Sequence, residues 1–256
     1  MDIRVCVPSY KRPKVATLDY LPFAKVFIDE EEEEAYKKEN EGAEIITVPD
    51  GVQGNVCRIR NYIMKREFED GADVVVIIDD DMKGCYKWIN TKKKLIQPND
   101  FLAFIEEYSI LAKDMGVYLW GLNINQDKQV YREYTPFSTT SFLGAPFQAF
   151  MKGNVVYYDE RLSLKEDYDM TLQQLNKYRK ILRVNSHFYV VKQSEQAGGC
   201  ASYRNYEEEE RQLKLLQSKW GKSIVKLDIN DRSHNLKRKK NRIDYNPIIK
   251  APIKGV

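Results

Sequence analysis

The sequence predicts an α/β fold: a mostly parallel sheet with helices on both faces. Three observations lead there. Val74 to Ile78 is an unbroken β-branched run, the pattern of a strand covered on both sides. Short apolar runs of this kind alternate with stretches whose apolar residues recur at helical spacing, the order of βαβ units. The 256 residues are 43% hydrophobic and 31% charged, enough for a sizeable core in a soluble globular protein.

Residues 3–8, Ile-Arg-Val-Cys-Val-Pro, read as the first strand and run into the loop Ser9-Tyr10-Lys11-Arg12-Pro13. Lys25 to Ile28 is the second, ending in Asp29-Glu30, and Glu44 to Val48 the third, closed by Pro49-Asp50-Gly51. Asn55 to Phe68 sets Val56, Ile59 and Ile63 at helical spacing, with Asn55 as the N-cap. The Val74 strand is fourth. A helix is expected from about Pro98 to Asp114, with Pro98 in its first turn and Gly116 as its stop. Val117 to Leu122 is the fifth strand. In the less regular second half, Phe147 to Met151 reads as a strand and Leu164 to Tyr178 as a helix. Ile181 to Val184 and Phe188 to Val191 read as two strands, and Arg204 to Lys219 as a charged helix stopped at Gly221. The acidic run Glu31 to Glu34 reads as a solvated helix start.

Composition excludes several classes. No apolar run approaches the ~20 residues that span a bilayer, so no membrane partner is expected. The N-terminus enters a strand pattern directly and shows no signal peptide. Cys6, Cys57, Cys85 and Cys200 form no Cys-x-x-Cys pair, which fits a reducing cytoplasm (the host's, for a viral protein) and no cysteine zinc site. The formal charge of +3 is uneven. From Arg232 onward there are eight Lys and Arg against one acidic residue, a net +7, and the body before it carries −4. The stretch Lys237-Arg238-Lys239-Lys240-Asn241-Arg242 within residues 232–242 can hold a polyanion such as DNA, or be a solvated terminus.

The Val74 strand ends in Asp79, Asp80 and Asp81. Ligands of open α/β sheets sit at the carboxyl ends of strands, and adjacent carboxylates repel unless a cation neutralises them. Oxygen-only ligands on a short turn suit Mg²⁺ or Mn²⁺. The same sheet edge carries Pro8-Ser9-Tyr10, Asp29-Glu30 and Gly54-Asn55-Val56-Cys57-Arg58-Ile59-Arg60-Asn61. Tyr158-Asp159-Glu160-Arg161-Leu162 and Lys165-Glu166-Asp167-Tyr168-Asp169 lie downstream.

This ordered set resembles GT-A fold inverting glycosyltransferases over roughly residues 1–190. The resemblance implies a donor half over 1–125, an acceptor and catalytic half over 126–200, and a C-terminal helix with basic tail over 201–256. It also implies a UDP-sugar donor, UDP-glucose by preference, held through its diphosphate by Mn²⁺ or Mg²⁺. Asp81, with Asp79, would hold the metal, and Asp79 or Asp80 would bond the ribose. Pro8, Ser9, Tyr10 and Arg12 would line the nucleotide, with Tyr10 stacked on the base, Asp29 bonding its edge and Arg60 reaching base or diphosphate. Asp167 would be the catalytic base, with Glu166 as the alternative. His187 would be the third metal ligand, with His234 as the alternative. The compact aromatic-rich second half (Tyr131, Tyr134, Phe137, Phe142, Phe147, Phe150, Tyr157, Tyr158) and the basic tail look similar to phage-type, TET-associated glycosyltransferases acting on hydroxymethylated DNA bases. Other readings are a GT-A-like nucleotidyltransferase, a glycosyltransferase acting on a saccharide or protein, and a nucleic-acid binding protein without catalysis. Residues 8–14 lack the glycine that a nucleotidyltransferase's phosphate loop would need.

Overall fold

The computed structural model describes residues 1–90, 92–127, 131–192, 199–227 and 246–252. The four leading apolar runs form β1 (Ile3–Pro8), β2 (Lys25–Asp29), β3 (Ile45–Val48) and β4 (Val74–Ile78). They pair in parallel in the order β3-β2-β1-β4. Between them lie α1 (Glu33–Glu39) and α2 (Val56–Glu69), the latter capped by Asn55, which accepts from the Cys57 and Arg58 N–H groups at 2.9 and 3.3 Å. Beyond β4 come the hairpin β5 (Met82–Ile89) and β6 (Lys92–Leu95), then α3 (Phe101–Asp114) and β7 (Leu119–Asn123). The strands β8 (Phe137–Ser138) and β9 (Phe147–Met151), α4 (Glu166–Tyr178), β10 (Leu182–Val191) and α5 (Tyr206–Trp220) follow, and a small ribbon of β11 (Val225–Leu227) and β12 (Pro247–Ile249) ends the described chain.

The large sheet continues past β4 as β9-β7-β10-β5-β6, with β8 on β10. Its parallel character therefore belongs to the first half, and the second half is mixed. β9 runs opposite to both β4 and β7, and β10 runs parallel to β7. The strands β1, β4, β7 and β10 consequently point the same way, and their carboxyl ends share one edge.

Every residue of β4 is buried because helices cover both faces. Val74, Val76 and Ile78 pack with Phe101, Phe104 and Ile105 of α3. On the other face Val75 and Ile77 pack with Ile59 and Ile63 of α2 and with Met170 and Leu175 of α4. Each such side chain contributes about 1.5–3 kcal/mol on burial, so the strand that carries the three aspartates is anchored on both faces. Among the described residues, no helix is long and apolar enough to cross a membrane.

Two elements differ from expectation. The β5–β6 hairpin was not anticipated: its lysines, Lys83, Lys87, Lys92, Lys93 and Lys94, give it a loop-like composition, yet lysine is what an exposed sheet edge carries. The two strands expected at Ile181–Val184 and Phe188–Val191 are one, β10. Asn185, Ser186 and His187 look like an interruption but are buried inside it, where Asn185 donates to Thr135 O and Ser138 Oγ at 2.9 and 2.8 Å. The register against β7 shifts across these residues.

Candidate active site

The aspartate turn is braced from both sides. Thr17, fully buried, donates its hydroxyl to Asp79 O at 2.6 Å, accepts from the Met82 N–H at 2.9 Å and donates its own N–H to Asp80 O at 3.1 Å. The Lys192 N–H holds Asp81 O at 2.8 Å from the end of β10. The three side chains then diverge. Asp80 turns inward, where it accepts from Ser9 Oγ at 2.6 Å and pairs with Arg12. Ser9 Oγ also meets Tyr36 Oη at 2.9 Å. Burial pushes the Asp80 carboxyl up, opposed by Arg12 and Ser9. Asp79 accepts from Arg60 at 2.6 Å. Asp81 is pushed up to about 7 by burial and by the charges of Asp79 and Asp80.

A cleft of about 460 Å³ opens at this sheet edge. It is lined by ten of the expected residues: Pro8, Ser9, Tyr10, Arg12, Arg60, Asp79, Asp80, Asp81, Glu166 and Asp167. Arg60 is 2% exposed and ties the two walls together. One nitrogen reaches Asp79 at 2.6 Å, another reaches Glu166 at 3.1 Å, and the guanidinium lies 5.7 Å from the Tyr158 ring centre. The sequence suggested that Arg60 meets base or diphosphate; in the structure it lines the cleft and cross-links Asp79 and Glu166.

Glu166 and Asp167 open α4. Glu166 is pushed up to about 7 by burial and by Asp167, against the pull of Arg60. Asp167 is also raised by burial, while Lys165 and the N–H groups of Tyr168 (2.8 Å) and Ala145 (3.4 Å) oppose it. Of the two, Glu166 is held by Arg60, and Asp167 keeps a face toward the cleft. Beside it, Phe142 and Tyr168 stack with ring centres 4.3 Å apart and planes 15° apart.

Two expected residues lie elsewhere. Asp29 is at its strand end, but its carboxylate accepts from the Glu31 N–H at 3.2 Å as the cap of a short turn, and it does not line the cleft. His187, expected as the third metal ligand, does not line the cleft. It is 3% exposed, stacks on Phe104 and meets Tyr108 with centroids at 5.2 Å, and is pushed down to about 3 by burial and by Lys87. Its place in β10 aims it at α3 rather than at the aspartates. His234 and the basic run 232–242 lie outside the described residues. Among the described residues, no three His, Cys, Asp or Glu side chains form a ready metal cage. Asp79 and Asp81 both line the cleft.

Sequence reasoning missed Thr17, Gln53, Tyr189, Lys192, Cys200 and Tyr203, of which all but Thr17 line the cleft. None carries a charge pattern or spacing that marks it. Of the aromatic residues expected around the acceptor, Phe142 lines the cleft. Phe147, Phe150 and Tyr158 are core, and Tyr134 is 83% exposed.

A family model described as TET-Associated Glycosyltransferase matches residues 5–199. No curated protein matches. Among solved structures, glucosyl-3-phosphoglycerate synthase from Mycobacterium tuberculosis, in complex with Mn²⁺, UDP and glucosyl-3-phosphoglycerate, is similar at 12% identity and a TM-score of 0.46, over 97% of this chain and 87% of that one. The A197 protein from STIV is similar at 13% identity and a TM-score of 0.42, over 77% and 88% of the two chains.

Proposed function

The chain belongs to the TET-associated glycosyltransferase family, and we propose that it moves a hexose, glucose by preference, from a UDP-sugar to the hydroxyl of a hydroxymethylated pyrimidine base in DNA, with inversion. The observation that carries this reading is the meeting of Asp79 and Asp81 with Asp167 in one cleft, whose walls Arg60 joins through Asp79 and Glu166. An acidic strand end alone would serve any cation, and a lone carboxylate at a helix start is common.

The donor half, residues 1–125, supplies the aspartate turn, and Asp167 comes from the acceptor half, 126–200. A divalent cation fits at Asp79 and Asp81. Asp80 is turned away into Ser9 and Arg12, and burial leaves Asp81 with more negative charge around it than its surroundings solvate. Mg²⁺ or Mn²⁺ there would neutralise the charge that builds on the departing diphosphate. Two protein carboxylates leave room for phosphate oxygens and water, the usual manner of holding such ions.

Asp167 takes the proton of the acceptor hydroxyl as its oxygen attacks the anomeric carbon and the bond to the diphosphate breaks. Arg60 keeps Glu166 from competing. The Phe142–Tyr168 pair offers a ring face to a base beside that carboxylate. The base must leave the duplex stack to arrive there.

The deciding experiment incubates the protein with UDP-glucose, Mn²⁺ and DNA containing hydroxymethylcytosine, and reads nucleoside mass and UDP release together. A hexose mass gain on the base, lost in Asp81→Ala and Asp167→Asn, is expected. Transfer to a saccharide or protein with none to DNA would replace the acceptor. Undiminished transfer in Asp81→Ala would sink the cation site.

A further inference from the structure

We infer that Gln53 reads the nucleobase of the donor, accepting the ring N–H of uracil on its side-chain oxygen and so selecting uridine over cytidine. This rests on the donor-site reading above and names a residue which that reading does not use.

Gln53 donates its Nε2 to Ser9 O at 3.1 Å and more weakly to Phe27 O at 3.4 Å. Both partners are backbone carbonyls, which only accept, so the nitrogen end must face them. The Oε1 is thereby the end left for the cleft, which Gln53 lines beside Ser9, Tyr10 and Gly54. The residue sits between Gly51 and Gly54, at φ of 76° and 82°, backbone angles that suit glycine.

The neighbours leave this role open. Asp29, the acidic group at the adjacent strand end, is engaged as the cap on Glu31. Asn55 is engaged on both ends, its oxygen capping α2 and its nitrogen donating to Glu160 O at 2.8 Å. Gln53 therefore presents an acceptor at the wall where Tyr10 lies. Uracil offers a ring N–H there, whereas the same ring position of cytosine is an acceptor and would oppose Oε1. A site built around a hydrogen bond rejects a ligand that cannot make it, because the polar group is then left unpaired.

The test compares UDP and CDP, each with Mn²⁺, by calorimetry on the full chain and on Gln53→Ala and Gln53→Met. Methionine keeps the side chain's length without its polar ends. The wild type should prefer UDP by roughly tenfold, the factor one unmet hydrogen bond gives. Both variants should lose that preference through weaker UDP binding, with the cation requirement intact. A wild type that binds UDP while both variants keep its preference would overturn this role and leave the glycosyltransferase reading standing. A wild type that prefers CDP would overturn it too. If neither nucleotide binds the wild type, the donor-site reading fails and this inference falls with it.

Discussion

Arg60 joins two carboxylates, and its burial makes that arrangement costly to disturb. Its guanidinium holds Asp79 on one wall of the cleft and Glu166 on the other, while its Nε has no hydrogen-bond partner. Removing a buried partner leaves uncompensated charge worth about 3–5 kcal/mol. Arg60→Met should lose that much stability in urea melts, and Arg60→Lys should lose part of it, since an ammonium cannot fork between two carboxylates. A melt of Arg60→Met that overlays the wild type would remove the cross-link from the account. A base acts only when deprotonated, and burial raises the Asp167 carboxyl. Turnover should therefore fall as pH drops, on a limb displaced upward from an ordinary aspartate. Asp167→Asn should bind UDP as the wild type does and lose turnover by about 10²–10⁴. Lost UDP binding would assign Asp167 a structural task instead.

At the scale of elements, the strands were legible wherever burial on both faces made their composition continuous, as in Val74 to Ile78. The helix α2 was legible because Asn55 caps it and Ile59 and Ile63 share a face. The hairpin β5–β6 was hidden because edge strands are selected for charge, and β10 because three buried polar residues break its pattern. At the site, the carboxylates could be read, since strand-end and helix-start aspartates announce themselves. What could not be read was their engagement, that Asp80 turns inward and Asp29 caps a turn, because Thr17, Ser9 and Arg12 meet the turn only through the fold. The docking of α5 has the same character. Asp169, fully buried, accepts from Lys219 at 2.9 Å and Trp220 at 2.7 Å, and the buried pair Lys165–Glu209 joins α5 to the residue before Glu166. Asp159 joins this seam through Lys219, and its carboxyl is held well below its usual range by Arg161 and Lys219. A depressed carboxyl contributes stability that is complete above its unfolded value and is lost as pH falls from there through the lower folded value, a window that opens below about pH 4. Acid should loosen α5 before the sheet. Hydrogen exchange at pH 7 and pH 2, corrected for intrinsic exchange rates, should show α5 amides losing protection first, and uniform loss would contradict the seam.

For the whole molecule, the cleft is assembled from both halves of the sheet, so ligand binding should stabilise the fold as one unit. With Mn²⁺ and UDP at a hundred times the dissociation constant, linkage gives about 2.7 kcal/mol, a rise in Tm of roughly 5–10 °C for a domain of this size. EDTA should remove it, and Asp81→Ala should show none. A rise that survives EDTA would mean that the nucleotide binds without a cation. The charge distribution adds an argument about DNA. The body before Arg232 carries −4, so by itself it repels a phosphate backbone, and the net +7 beyond it must supply the attraction if DNA is the acceptor. Association by counterion release has a signature: log affinity falls linearly with log salt, by about 0.9 for each phosphate neutralised on duplex DNA. The five cations in Lys237 to Arg242 could together account for a slope of about −4.5. Replacing Lys237, Arg238, Lys239, Lys240 and Arg242 together with serine should flatten the salt dependence by about that amount and weaken DNA binding at low salt, while keeping β12 and the cleft residue Asn246 and so leaving UDP binding and the cation-dependent rise in Tm unchanged. An unchanged slope would mean that DNA, if bound, is held by other cations, with the lysines of the β5–β6 edge the first to replace.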